Sequence, residues 1–70
     1  MKGDTAMTIE RLNAHQFKIV DGDKATFIHQ AGNTCMIEEA VWNGDGWKVT
    51  YRDVYGMSIP ACEAKYGIKF

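Results

Sequence analysis

Apolar and polar residues alternate with a period of two through the middle of the chain, which is the pattern of half-buried β-strands. Phe17 and Ile19 alternate with Gln16 and Lys18, and the alternation returns in residues 25–30. Clusters of glycine, aspartate and asparagine, which favour tight turns, separate the alternating segments. The pattern therefore predicts antiparallel strands joined by short turns.

The first hairpin is predicted to turn at residues 21–23, because glycine accepts a positive φ and aspartate can bond its own backbone. A three-residue loop there places Phe17 opposite Phe27 and Ile19 opposite Ala25. A two-residue Asp-Gly loop would instead pair an isoleucine with a lysine. Burial therefore favours the longer loop and an aromatic pair on the core face.

The second hairpin has the clearest signature in the sequence. We expect strands over residues 34–42 and 47–55, joined by the turn residues 43–46. In this register Trp42 lies opposite Trp47. Cross-strand aromatic and β-branched pairs contribute roughly 0.2–1 kcal/mol each relative to alanine pairs, so this hairpin is expected to anchor the fold.

The pairing also assigns the side chains of the second hairpin to two faces of the sheet. The face expected to be buried carries apolar residues, namely Trp42, Ala40, Val49 and Trp47. The face expected to meet water carries charged residues, namely Glu39, Lys48 and Arg52. The same register continues to Glu38 opposite Tyr51 and Ile37 opposite Arg52.

The N-terminal part of the chain has a weaker signal. Residues 7–13 place apolar side chains at both helical and strand spacings, and we favour a strand. Residues 1–6 are small and polar, so we expect a flexible N-terminus followed by one small domain over residues 7–70.

A short C-terminal helix is predicted from its capping residues. Ser58 can accept backbone hydrogen bonds at the start, Pro60 fits the first turn, and Gly67 is a natural stop. A helix over residues 61–66 is too short to persist alone and must dock on the sheet. The alternating tail after Gly67 either adds a last strand or pins the end of the chain.

The length and charge restrict the fold and the class of partner. A chain of 70 residues forms one domain, and a core of that size supplies only about 3–5 kcal/mol. We expect an α+β fold: a small antiparallel β-meander of four to five strands with one short C-terminal helix. Closure into an SH3-like or OB-like barrel is an alternative. A net charge of −1 offers no general attraction for nucleic acid or anionic membranes.

The compartment is expected to be the cytoplasm. No apolar run approaches the roughly 20 residues that span a bilayer, and no apolar segment follows Lys2 as a secretory signal requires. Cys35 and Cys62 could form one disulfide. In a cytoplasmic chain we favour two reduced, partly buried thiols.

Residue types that bind metals are present but are not spaced as ligand pairs. His15, His29, Cys35 and Cys62 include no two positions close enough for a typical structural zinc site. The turn segments lack the terminal glutamate of a calcium loop. We therefore expect no metal and no cofactor.

The sequence gives little support for catalysis. Ser58, the only serine, is needed as a helix cap, and the neighbouring Glu38 and Glu39 point to opposite faces of a strand. No basic or glycine-rich context activates either cysteine. We expect that the protein is not an enzyme.

Binding of single-stranded nucleic acid is the alternative function. The 34–55 hairpin has aromatic residues for stacking and two basic residues nearby: Trp42, Trp47, Tyr51, Tyr55, Lys48 and Arg52. The period of two places Lys48 and Arg52 on the face opposite Trp47. The aromatic and basic groups are therefore expected to be segregated.

Protein binding is the favoured function. Two tryptophans, three tyrosines, three phenylalanines and four methionines are more than a small core easily hides, and these types are enriched at interfaces. The expected binding residues are Tyr51, Tyr55, Met57, Tyr66, Phe70, Lys48 and Arg52. An unpaired edge strand offers a second route, by strand addition or homodimerisation. Proteins of this size often act as inhibitors or adaptors, including those carried by phages and other mobile elements. No motif assigns the chain to a family.

Overall fold

Five strands follow one another in an antiparallel meander, and a short helix ends the chain. The computed structural model describes residues 7–53 and 55–70, so the N-terminal segment predicted to be flexible lies outside the described residues. The elements are β1 (Met7–Asn13), β2 (Gln16–Asp21), β3 (Lys24–Ala31), β4 (Thr34–Trp42), β5 (Trp47–Arg52), β6 (Met57–Ser58) and α1 (Ile59–Tyr66). The predicted fold class is confirmed, including the strand at the N-terminal end.

The sheet is open, because β1 and β5 form its two edges. The described strands therefore do not close into the barrel that was the alternative expectation. The second hairpin is shorter than predicted: β5 ends at Arg52, and the side chain of Asp53 then accepts hydrogen bonds from the backbone N–H groups of Tyr55 and Gly56 at 3.0 and 3.1 Å. This turn leads into β6, which pairs with the start of β4 and was not predicted.

The first hairpin turns through two residues, and the predicted register is wrong by one position. Asp21 pairs with Lys24, so Phe17 lies opposite Ile28 and not opposite Phe27. Gly22 takes a positive φ of 67° at the first central position of the turn, where glycine gives a twist that suits antiparallel strands. The shift places the side chain of Phe27 on the opposite face of the sheet from Phe17.

The second hairpin keeps the predicted register only near its tip. Trp42 pairs with Trp47 and Ala40 pairs with Val49, as predicted. Beyond this point the pairing shifts by one residue, since a β-bulge at Thr50 leaves that residue without a partner. Two further pairs therefore differ from the prediction, with Tyr51 opposite Glu39 and Arg52 opposite Glu38.

The two faces of the sheet have different environments. We call the face against α1 the covered face; its buried strand residues are Phe17, Ile19, Ile28, Cys35 and Ile37. We call the other the open face, because no described element packs on it. Its main side chains are Lys18, Phe27, Met36, Glu38, Trp42, Trp47, Val49 and Arg52.

The predicted core face of the second hairpin is therefore wrong. Of its four apolar residues only Ala40 is buried, while Trp42 and Val49 remain 47% and 45% exposed. The core lies on the other face because α1 covers the end of β4 that carries Cys35 and Ile37. No described part of the chain reaches over the tip of the hairpin on the open face.

The helix begins and ends where the capping residues predict. The Ser58 side chain accepts a hydrogen bond from the Ala61 N–H at 3.4 Å, and Gly67 adopts the left-handed conformation. Cys62 is the buried residue of α1, and Ile68 joins it in the core. Phe70 packs edge-on against Phe17 at 5.1 Å between ring centroids, so the tail pins the end of the chain.

Candidate functional site

Two tryptophans at the tip of the second hairpin form the centre of the open face. Their rings are 5.4 Å apart between centroids and cross at 71°, an edge-to-face arrangement. The Asn43 side chain fixes the tip by accepting hydrogen bonds from the backbone N–H groups of Asp45 and Gly46 at 2.9 and 3.0 Å. The hairpin therefore presents Trp42 and Trp47 from a well-defined turn.

A lysine joins the tryptophans to a third aromatic ring. Lys18 pairs with Phe27 across β2 and β3. Its ammonium lies 6.0 Å from the Phe27 ring centroid and 5.8 Å from the ring of Trp47. These distances are at the limit of cation–π attraction, so the open face combines aromatic surface with a positive charge.

A cavity of about 330 Å³ lies beside these aromatic rings, and Phe27 forms part of its wall. Its walls come from β1 to β5, and the lining residues are Leu12, Gln16, Phe17, Phe27, Ile28, His29, Met36, Glu38 and Arg52. The volume is at the lower end of the range of about 300–1,000 Å³ that is typical of ligand sites. It suits one large side chain better than an extended cofactor.

Polar groups at the rim of the cavity are already paired with one another. The Gln16 amide and the His29 ring nitrogen Nδ1 lie 2.8 Å apart, and the Arg52 guanidinium binds the Glu38 carboxylate. The ion pair leaves no net charge at this side of the cavity. The floor is mainly apolar, so the site favours an uncharged apolar group.

The predicted binding residues do not form one patch. Tyr51 and Tyr55 are exposed, at 53% and 91%. Three others, Met57, Tyr66 and Phe70, are partly buried against the core beneath α1.

The two basic residues of the predicted site lie on different faces. Lys48 projects on the covered-face side, opposite Val41 and away from Trp47, as predicted. Arg52 lies on the open face with Trp47, because the bulge at Thr50 reverses the alternation. The expected segregation of both basic residues from the aromatic face is therefore wrong for Arg52.

Sequence reasoning missed several residues of the open face, namely Leu12, Lys18, Phe27 and Met36. Phe27 and Met36 are partly buried and line the cavity. A two-residue turn with glycine first would have revealed Phe27, since that register pairs it with Lys18 and places it on the face away from Phe17. Nothing local indicates the bulge that moves Arg52.

The ionisable groups do not assemble into a reactive centre within the described residues. No three potential metal-ligating side chains gather in residues 7–53 and 55–70. Burial, followed by the neighbouring Cys35 thiol, raises the pKa of Cys62 to about 12. Burial also raises the pKa of Tyr66. Both groups are therefore neutral at physiological pH, and Cys62 is not an activated nucleophile.

Comparisons with known proteins do not identify a relative. The chain matches no family model, no curated protein and no solved structure. Among the described helices, none has the length and apolar character needed to cross a membrane. The functional assignment therefore rests on the geometry of the site.

Proposed function

We propose that the protein is a non-enzymatic interaction module that binds a larger protein through the open face. The observation that supports this most is the aromatic pair of exposed Trp42 and partly buried Trp47 beside a cavity with an apolar floor. Tryptophan and tyrosine are enriched among residues that dominate binding energy, and such anchors fill desolvated pockets. The partner is expected to insert one uncharged apolar side chain into the cavity.

The balance of charge on the open face supports a protein partner. Lys18 and Arg52 are matched by Glu38 and, on β1, by Glu10 opposite Lys18. A surface that attracts phosphates would carry an excess of positive charge, whereas protein interfaces combine an apolar centre with a mixed polar rim.

A capture experiment with two matched variants tests this function. Val49→Lys places a charge on the open face, and Tyr51→Lys places the same charge on the same strand but on the other face. Both residues are about half exposed, so neither variant is expected to unfold. With tagged full-length chain in host extract, Val49→Lys is expected to lose the captured protein and Tyr51→Lys to retain it. Retention by Val49→Lys, or a loss confined to Tyr51→Lys, would contradict the assignment to the open face.

Single-stranded nucleic acid remains the second candidate, and one observation favours it. Lys18 lies near both Phe27 and Trp47, so stacking rings and positive charge do share a face. A labelled single-stranded oligonucleotide at low salt tests this candidate. Binding that is lost in Lys18→Glu but kept in Lys48→Glu, the variant on the other face, would favour it over a protein partner.

We propose that the chain acts as an inhibitor or adaptor in the cytoplasm. The open face alone suits blocking a larger protein, whereas bridging needs a second surface, such as the exposed edge of β1. Purified chain that binds the captured protein and lowers its activity would support an inhibitor, whereas a ternary complex would support an adaptor.

We also propose self-association through an edge strand. All seven residues of β1 are exposed, including Met7 and Ile9, and its outer backbone groups have no strand partner among the described residues. Light scattering of the purified chain would report a dimer. Ile9→Pro, which removes an N–H that faces outward at this edge and leaves the ladder with β2 intact, is expected to return it to monomer.

A further inference from the structure

The chain has two cysteines, and the fold buries them together. Cys35 lies on β4 and Cys62 on α1; both are free thiols with no exposed surface. Both belong to the core between sheet and helix. The open face uses neither of them, so their placement has no part in the proposed function.

The local chain path explains why the two thiols meet. Met57 of β6 pairs with Cys35, and the next residue, Ser58, caps the helix. One turn into α1, Cys62 is its buried residue. Where α1 packs on β4, Cys62 and Cys35 enter the same buried cluster. The Cys35 thiol is near enough there to help raise the pKa of Cys62.

We propose that Cys35 and Cys62 form a reversible intrachain disulfide that ties α1 to the sheet, with a small disulfide such as oxidised glutathione as the oxidant. One cysteine thiolate attacks the glutathione disulfide, forming a mixed disulfide and releasing one glutathione thiolate. The second cysteine thiolate then attacks the protein sulfur and releases the other. Two protein thiols are oxidised and one small disulfide is reduced to two thiols. The two protons that leave the protein thiols end on the two glutathione thiolates, so no net proton is released.

Oxidation requires α1 to leave the sheet for a short time. A helix of eight residues is unstable alone, and α1 is held by the fully buried Cys62, by two partly buried side chains, Ile59 and Tyr66, and by the tail behind it. Segments with few buried contacts open at lower free energy than the whole domain. Opening exposes both thiols at once, and an exposed thiol ionises near its ordinary pKa, which is 9.0 for Cys62. Redocking then places the second thiol against the mixed disulfide.

Intact mass and urea unfolding of the full chain, measured in reduced and oxidised glutathione, test the disulfide. We expect a monomer lighter by two hydrogens that resists alkylation. A loop of roughly 28 residues is closed, so the unfolding constant should fall about a hundredfold and the urea midpoint should rise by about 2 M. Cys35→Ala and Cys62→Ala should each show the same midpoint in both buffers.

Three results would overturn the proposal. Oxidised glutathione could leave both thiols free even in mild urea, it could produce mainly mixed disulfides or linked dimers, or it could close the intrachain bond without raising the urea midpoint. The mass measurement needs no variant, so the proposal stays testable even where an alanine substitution prevents folding. The partner-capture experiment is separate, and its failure would not affect this result.

Discussion

The two faces of the sheet differ in whether another part of the described chain covers them. On the covered face, α1 and the tail close over Phe17, Ile28 and Ile37, which are nearly fully buried. On the open face, Trp42 and Val49 stay almost half exposed, beside a cavity that the chain does not fill. The comparison separates residues that hold the fold from residues available to a partner. A domain this small leaves large apolar groups exposed only at some cost in solubility, which is why the open face is the candidate site.

The sharpest test of the comparison is one substitution on each face of β3. Ile28→Ala removes a fully buried side chain and is expected to cost about 3–4 kcal/mol, close to the total stability of a small domain. Phe27→Ala, next to it but partly exposed on the open face, should cost less than half as much. Urea unfolding of both variants measures the difference. Equal losses of unfolding free energy in the two variants would mean that the open face is also part of the hydrophobic core.

The next largest effect concerns the turn that carries the chain to the covered face. Gly56 has a positive φ of 75°, and a Cβ atom there would lie 3.0 Å from the Cys35 carbonyl oxygen. Gly56→Ala is therefore expected to cost about 2–3 kcal/mol, from backbone strain and from displacement of β6. Gly32→Ala is the matched control, since Gly32 also has a positive φ but no atom within 4 Å. Similar losses in thermal unfolding for both variants would exclude the close approach as the cause.

Alkaline pH should lower the free energy of unfolding through buried groups on the covered face. The Cys62 thiol keeps its proton in the folded chain up to a pKa of about 12, whereas it ionises near 9 when unfolded. This contribution to stability is therefore complete below pH 9 and is lost as the pH rises towards 12. At pH 10 the loss should be about 1 kcal/mol, and the shift of Tyr66 acts in the same direction.

Urea midpoints of wild type and Cys62→Ala at pH 8 and pH 10 measure this effect. The variant should lose less stability than wild type over this interval. An equal loss in both proteins would show that the buried thiol is not responsible.

The smallest effect is expected on the open face. Arg52→Gln removes the ion pair with Glu38, but the Arg52 side chain is 63% exposed, so the loss should not exceed about 0.5 kcal/mol. Thermal unfolding at low and high salt should show little change in either condition. A loss above about 1 kcal/mol would mean that this ion pair supports the fold as well as the rim of the cavity.

The sequence was sufficient where the determinants are local. Ser58 and Gly67 mark the ends of α1 because capping depends on a few adjacent residues. The Trp42–Trp47 pair follows from the turn directly between them. These features give the meander and the helix without knowledge of the rest of the chain.

The sequence was insufficient where a shift of one residue in strand register decides on which face of the sheet a side chain lies. The two-residue turn at Gly22 moves Phe27 to the open face, and the bulge at Thr50 moves Arg52 there. Which face α1 covers is also non-local, since it depends on β6 pairing with the start of β4. For this reason the core face was misassigned, and Arg52 was the one cavity-lining residue among the expected binding residues.

Quenching of tryptophan fluorescence tests the central claim most directly, because both tryptophans of the chain lie on the open face. The folded monomer in acrylamide is expected to be quenched substantially, because Trp42 is 47% exposed, but less strongly than the chain unfolded in urea, because Trp47 is partly buried. Ile28→Ala, the covered-face variant, should report the same indole exposure in whatever fraction stays folded. Strong protection of both indoles in the folded monomer, relieved only by unfolding, would contradict an open face and place the tryptophans in the core.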